Sequence, residues 1–86
     1  MKKVTLFYLA SCPYCKKAIS FLDDLLATEE YHDIEIEKIE ESREAETANS
    51  YDYYYVPTFY LGKEKLHEGA CEKEDVEKVL QAALNA

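Results

Sequence analysis

Val4-Thr5-Leu6-Phe7-Tyr8-Leu9-Ala10-Ser11-Cys12-Pro13-Tyr14-Cys15-Lys16-Lys17 decides the reading of this chain. Val4–Leu9 is nearly continuous apolar and aromatic sequence without a charge, the pattern of a strand buried on both faces. Ser11-Cys12-Pro13 then opens a helix. Proline is favoured at the first helical position, which puts Cys12 on the N-cap. Ala18, Ile19, Leu22, Leu25 and Leu26 follow at helical spacing and predict one apolar stripe to about Thr28. Two cysteines, separated by two residues, therefore sit at a strand-to-helix junction.

That junction suits thiol chemistry. The thiolate, not the thiol, attacks a disulfide. A helix N-terminus offers unpaired N–H groups and about half a positive charge, both favouring a thiolate. Lys16 and Lys17 are expected to add cations in the first turn. Cys15 can reach back to Cys12, so Cys12 reads as the attacking thiol and Cys15 as the shielded, resolving one. A structural zinc pair is the competing reading. Zinc needs four ligands, and the remaining candidates are Cys71, His67 and His32. His67-x-x-x-Cys71 has workable spacing, but zinc knuckles rarely carry proline at the first helical position between their cysteines. A redox dithiol is the preferred reading, with a zinc site, or an iron–sulfur cluster bridged between chains through Cys12, as the alternative.

Working outward, Ile34-Glu35-Ile36-Glu37 alternates with period 2 and predicts a half-buried strand to Ile39. Glu41–Tyr53 predicts a weak, exposed helix. Val56–Leu61 predicts a strand entered through Pro57. Gly62-Lys63 reads as a turn and Glu64–Glu68 as its pairing strand. Val76, Val79, Leu80, Ala83 and Leu84 predict an amphipathic helix beginning at Glu72. The order β-α-β-α-β-β-α implies a parallel pair with a right-handed crossover and a late antiparallel hairpin. The expected fold is α/β: a four-stranded mixed sheet flanked by three helices, in one domain over residues 1–86.

Composition narrows the function. A net charge of −8 disfavours nucleic acid and anionic membranes. All 18 acidic residues lie beyond residue 22, whereas Lys2, Lys3, Lys16 and Lys17 precede it, so a basic patch around Cys12 and Cys15 is expected. Three cysteines are too few for a disulfide scaffold, and the odd thiol suits a reducing compartment. Leu9-Ala10-Ser11-Cys12 has the look of a lipoprotein signal, but its apolar run is short and cleavage there would remove the first strand. A cytoplasmic monomer is expected.

Cys12-Pro13-Tyr14-Cys15 after the first strand, Val56-Pro57 before the third, the length and the element order together resemble a glutaredoxin, within the thioredoxin superfamily. The resemblance spans essentially the whole chain. It implies a thioredoxin fold, thiol–disulfide oxidoreductase activity and a cis Val56-Pro57 bond facing the dithiol. It implies that Pro13, Tyr14 and Lys16 shape the site. Tyr55, Val56 and Pro57 would line the substrate groove, with the Val56 backbone pairing to the substrate or glutathione cysteine. Gly69, Cys71 and Glu72 stand where the family binds the γ-glutamyl end of glutathione, here through backbone N–H groups of Cys71 and Glu72. The implied co-substrate is glutathione, with disulfide-containing proteins as partners. The chain departs from the family in having Tyr55 where threonine is usual, no basic residue in Leu9-Ala10-Ser11, and Glu72 where aspartate is usual. A thioredoxin reductase as electron donor is the alternative. Cys71 reads as a buried packing residue, with a regulatory thiol as the alternative; Tyr53-Tyr54-Tyr55 reads as half-exposed packing at a strand entry, with an aromatic rim for a partner beside the site as the alternative; His32 and His67 read as surface residues.

Overall fold

The computed structural model describes residues 3–86; Met1 and Lys2, the latter part of the expected basic patch, lie outside the described residues. The elements are β1 (Val4–Tyr8), α1 (Pro13–Leu26), β2 (Ile36–Glu40), α2 (Ala45–Asn49), β3 (Thr58–Leu61), β4 (Glu64–Glu68) and α3 (Lys73–Leu84). The sheet order is β2-β1-β3-β4. β1 pairs parallel with β2, from Val4↔Ile36 to Tyr8↔Glu40, through the α1 crossover. It pairs antiparallel with β3, from Val4↔Leu61 to Phe7↔Thr58. β3 and β4 form an antiparallel hairpin turned at Gly62, whose φ of 63° is left-handed backbone that glycine adopts without a Cβ clash.

β1 is central, and its alternation splits the core. Val4 and Leu6 face α1 and α3, packing with Ala18, Leu22, Phe59, Val76 and Leu80, all of them without solvent exposure. Phe7 faces the other way, with Ile39, Ala48 and Tyr60. There its ring stacks on Tyr53 at 4.9 Å and meets Tyr51 at 4.7 Å and Tyr60 edge-on at 5.8 Å. Each large side chain so buried contributes about 1.5–3 kcal/mol.

The structure trims several expected elements. α1 stops at Leu26, because Thr28 turns back on Leu25 through both its N–H and its hydroxyl. β2 starts at Ile36; Ile34 lies in the preceding loop, yet is buried against the core. The long polar helix over Glu41–Tyr53 shrinks to five residues, since only Ala48 buries and no side chain caps its start. β3 begins at Thr58, as Val56 and Pro57 form its approach. Leu84 closes α3 partly exposed. Among the described residues no helix is long and apolar enough to cross a membrane.

Candidate active site

The pairing register gathers the expected site at one end of the sheet. Phe7↔Thr58 puts the approach to β3, Val56-Pro57, beside the exit of β1, which leads to Cys12. Thr58↔Glu68 brings the exit of β4, Gly69, to the same end, and the Gly69 N–H donates to the Pro57 carbonyl at 2.8 Å. The Val56-Pro57 bond is cis. Gly69, with φ of 94°, supplies the reversal into α3.

Cys12 is the N-cap of α1 with extended backbone, and Pro13 occupies the first turn. The turn into the helix is fixed by the Cys12 N–H donating to Leu9 (3.1 Å) and the Lys16 N–H donating to Cys12 (3.0 Å). The two thiols differ sharply. Cys12 is partly exposed, whereas Cys15 is wholly buried and accepts the Leu9 N–H at 3.5 Å. The Cys12 sulfur makes no fully aligned capping hydrogen bond as a thiol. Burial pushes it up, but the Cys15 backbone and side chain and the Tyr14 N–H outweigh that, and Cys12 lies below the ordinary thiol value. Burial pushes Cys15 up to about 12, with further upward pressure from the Cys12 charge and Glu41. A nucleophile and a resolving thiol one turn apart are thus separated by environment.

The expected electrostatics need correcting. The lysines contribute nothing resolvable to the Cys12 shift, which comes from backbone and thiol donors. Lys17 pairs with Glu72 at 3.5 Å and lies over the Phe21 ring. Lys16 is exposed. An acid reaches the loop before Cys12: Glu40 accepts from the Ala10 N–H at 3.4 Å, while Ser42 holds its other oxygen. Glu41 accepts from the Tyr53 hydroxyl at 3.3 Å.

The segment expected to bind glutathione also differs in detail. Glu72 caps α3 through a reciprocal box with Asp75, whose carboxylate takes the Glu72 N–H at 2.9 Å. One of the two N–H groups expected for a ligand carboxylate is therefore filled by the chain's own. The Cys71 side chain is buried in the core, and burial pushes its thiol up to about 11. His67 is half-buried and its Nε2 meets the Ala70 carbonyl at 3.0 Å. His32 is an exposed loop residue paired with Asp33. Among the described residues, no three His, Cys, Asp or Glu side chains are grouped to hold a metal ion.

Sequence reasoning preferred packing to an aromatic rim for the three tyrosines, and it missed Glu68. Tyr53 does pack, but Tyr54 and Tyr55 do not: they are 85% and 70% exposed, and Tyr14 is 61% exposed. The backbone beneath them is held by Glu68, which accepts from the N–H groups of Tyr54 and Tyr55 and pairs with Lys65 at 2.7 Å. The Lys65 ammonium and the two N–H groups draw the Glu68 carboxyl down to about 2. No local signal marks this clamp, because the two N–H groups that Glu68 holds lie 14 and 13 residues away.

A mixed four-stranded sheet between helices, with a Cys-x-x-Cys pair at the first helix N-terminus, defines a thioredoxin-fold protein of thiol redox type. The glutaredoxin family profile matches residues 4–66, and the chain belongs to the glutaredoxin family. Among solved structures, a malarial protein superposes with a TM-score of 0.72 at 19% identity, over 94% of each chain, a likeness of fold. A mutant thioredoxin-like protein matches with a TM-score of 0.64 at 25% identity, over 96% of this chain and 100% of that one. An uncharacterized thioredoxin-like protein from Clostridium perfringens gives 0.67 at 27%, over 96% and 71%. Comparison with curated proteins gives no significant match.

Proposed function

We propose that this chain is a dithiol disulfide reductase working through Cys12 and Cys15. The observation that carries the reading is the split between the two thiols, one lowered at a helix N-cap and one raised by burial a turn later. The Cys12 thiolate attacks one sulfur of a substrate disulfide. The other sulfur leaves as a thiolate and takes a proton from solvent. Cys15 loses its proton to water and attacks the Cys12 sulfur, releasing the second substrate thiolate and leaving a Cys12–Cys15 disulfide. Timing is built in: part of what holds Cys15 protonated is the charge on Cys12, and that charge vanishes in the mixed disulfide. Pro13 and Tyr14 shape the approach, with Tyr55, Val56 and Pro57 lining the groove opposite.

Glutathione is the proposed co-substrate, and disulfide-bearing proteins are the proposed partners, in a reducing cytoplasm. Gly69 and the Cys71 N–H stand where the family binds the tripeptide. A second reading has support of its own. With Ala10 held by a carboxylate and the Glu72 N–H filled, a thioredoxin reductase is the alternative donor. A coupled NADPH assay decides between them. Turnover with glutathione and glutathione reductase, but not with a thioredoxin reductase, is the expected result. The reverse pattern favours the second reading, and failure with both rejects the reductase assignment.

A further inference from the structure

A bulge in β4 decides which of its side chains share a face. Thr58 pairs with Glu68 and Phe59 with His67, but Tyr60 then pairs with Lys65, so Leu66 is the extra residue. In a regular strand, residues three apart point to opposite faces. The extra residue shifts that alternation. Leu66 and His67 both line a groove with Val79 of α3. Lys65 and Glu68 therefore both fall on the opposite face, alongside Tyr60 and Thr58, and there they pair at 2.7 Å.

That face meets residues 52–57, the approach to β3. The Asp52 carbonyl accepts from the Tyr60 hydroxyl at 2.5 Å and from the Lys65 ammonium at 3.3 Å. Glu68 takes the N–H groups of Tyr54 and Tyr55, the latter at 2.9 Å. The Thr58 hydroxyl donates to the Tyr55 carbonyl, and the Gly69 N–H donates to that of Pro57. Every one of these partners belongs to the β3–β4 hairpin or its exit, and none to α1 or the loop that carries Cys12. Among the described residues, no hydrogen bond takes the Val56 N–H or carbonyl. The segment thus presents a free pair of backbone groups at the dithiol end, on a mount built separately from the thiols.

We propose that Lys65 and Glu68 are positioning residues for disulfide exchange, fixing residues 52–57 so that Val56 aligns a substrate disulfide with Cys12; this rests on the reductase reading. In exchange, the bond from the Cys12 sulfur forms as the substrate S–S bond breaks. The electron pair of that bond leaves with the departing sulfur, which takes a proton from solvent. The reacting atoms must be held in line, and a misplacement of about 1 Å can cost about a hundredfold in rate. Packing gives the segment little hold, since Tyr54 and Tyr55 point their rings into solvent. The polar strap supplies what packing does not. The groups that shift Cys12 and Cys15 include neither Lys65 nor Glu68, so the pair acts on the alignment and leaves the thiols alone.

The test uses pre-reduced protein in single-turnover reactions, in which one Cys12–Cys15 dithiol reduces one disulfide and becomes a disulfide. Two uncharged probes are compared: the disulfide of N-acetylcysteine amide, which carries backbone-like amides, and bis(2-hydroxyethyl) disulfide, which has none. Glu68→Ala is expected to slow the amide-bearing probe about tenfold and the other less than about twofold. Lys65→Ala should slow the first about three- to fivefold, and the double variant no more than Glu68→Ala alone, because the two act as one unit. Glu68→Gln and Lys65→Arg, which keep an acceptor and a cation, should recover most of the rate. Cys12 alkylation by iodoacetamide, and the equilibrium constant of the Cys12–Cys15 disulfide with dithiothreitol, should stay within about twofold in every variant. A merely structural role would move these together with both probes. Circular dichroism checks each fold; where Glu68→Ala does not fold, Lys65→Ala decides. An unchanged rate on the amide-bearing probe overturns the proposal, as does equal loss on both probes or a parallel fall in alkylation. If wild-type protein reduces neither disulfide, the reductase reading has failed and the proposal falls with it.

Discussion

Mild alkylation of the reduced protein should label Cys12 far ahead of Cys15, and the structure sets the size of the preference. Cys15 is held at about 12 and Cys12 below 9.0, a gap of at least three pH units. At neutral pH that gap is about a thousandfold in thiolate fraction. A more basic thiolate is also a better nucleophile, with a Brønsted slope of about 0.4–0.5, which returns about 15–30-fold and leaves a net preference of about 30–60-fold. Cys71, at about 11, should follow the same arithmetic with a preference for Cys12 of about tenfold. Burial of Cys15 and Cys71 slows the reagent further, so these are lower bounds. The assay is limited iodoacetamide treatment of native protein at pH 7, followed by digestion and mass spectrometry of the cysteine peptides. Labelling of Cys15 within threefold of Cys12 would refute the argument that the helix N-cap and burial separate the two thiols.

Glu68 has its carboxyl lowered to about 2 in the fold, so its contribution to stability is complete above the ordinary value of 4.5 and is lost as pH falls toward 2. Acid unfolding followed by circular dichroism should be shallower across that window in Glu68→Gln than in wild type; identical slopes would remove the clamp's energetic role. Phe7→Ala empties the centre of the aromatic cluster and should lower stability by about 3–5 kcal/mol in urea titrations, with a loss under about 1 kcal/mol counting against that packing. Asp75→Ala breaks the reciprocal cap of α3 and should cost about 1 kcal/mol in the same titration; no change would mean that the cap adds nothing.

Much of this was legible in the chain itself, for physical reasons. Val4–Tyr8 is buried on nearly every residue because β1 lies between two strands and two helical layers, and its unbroken apolar run says so. Pro13 and the stripe through Leu25 mark α1 and place Cys12 on its cap. The stripe of α3 was equally readable. The failures share one cause, dependence on distant partners. Ile34 looked like strand yet buries from a loop. The alternating Tyr53-Tyr54-Tyr55 looked uniform, but only Tyr53 meets Phe7. The lysines suggested a basic site, while folding turned Lys17 to Glu72 and brought Glu40 from β2 to Ala10. A Glu72–Asp75 box does not match the usual serine or threonine cap pattern, so the filled N–H went unseen.

The central claim is that Cys12 and Cys15 together reduce a disulfide, and one stoichiometric measurement tests it most directly. Pre-reduced protein is mixed with excess peptide disulfide, the released thiol is counted, and the protein is mapped without reduction. The account predicts two peptide thiols released per protein and a Cys12–Cys15 disulfide with Cys71 free. Under the same conditions Cys15→Ser should stop at a mixed disulfide on Cys12, with one thiol released, and Cys12→Ser should release none. Thiol release from Cys12→Ser at the wild-type rate, or a product disulfide that includes Cys71, would contradict it.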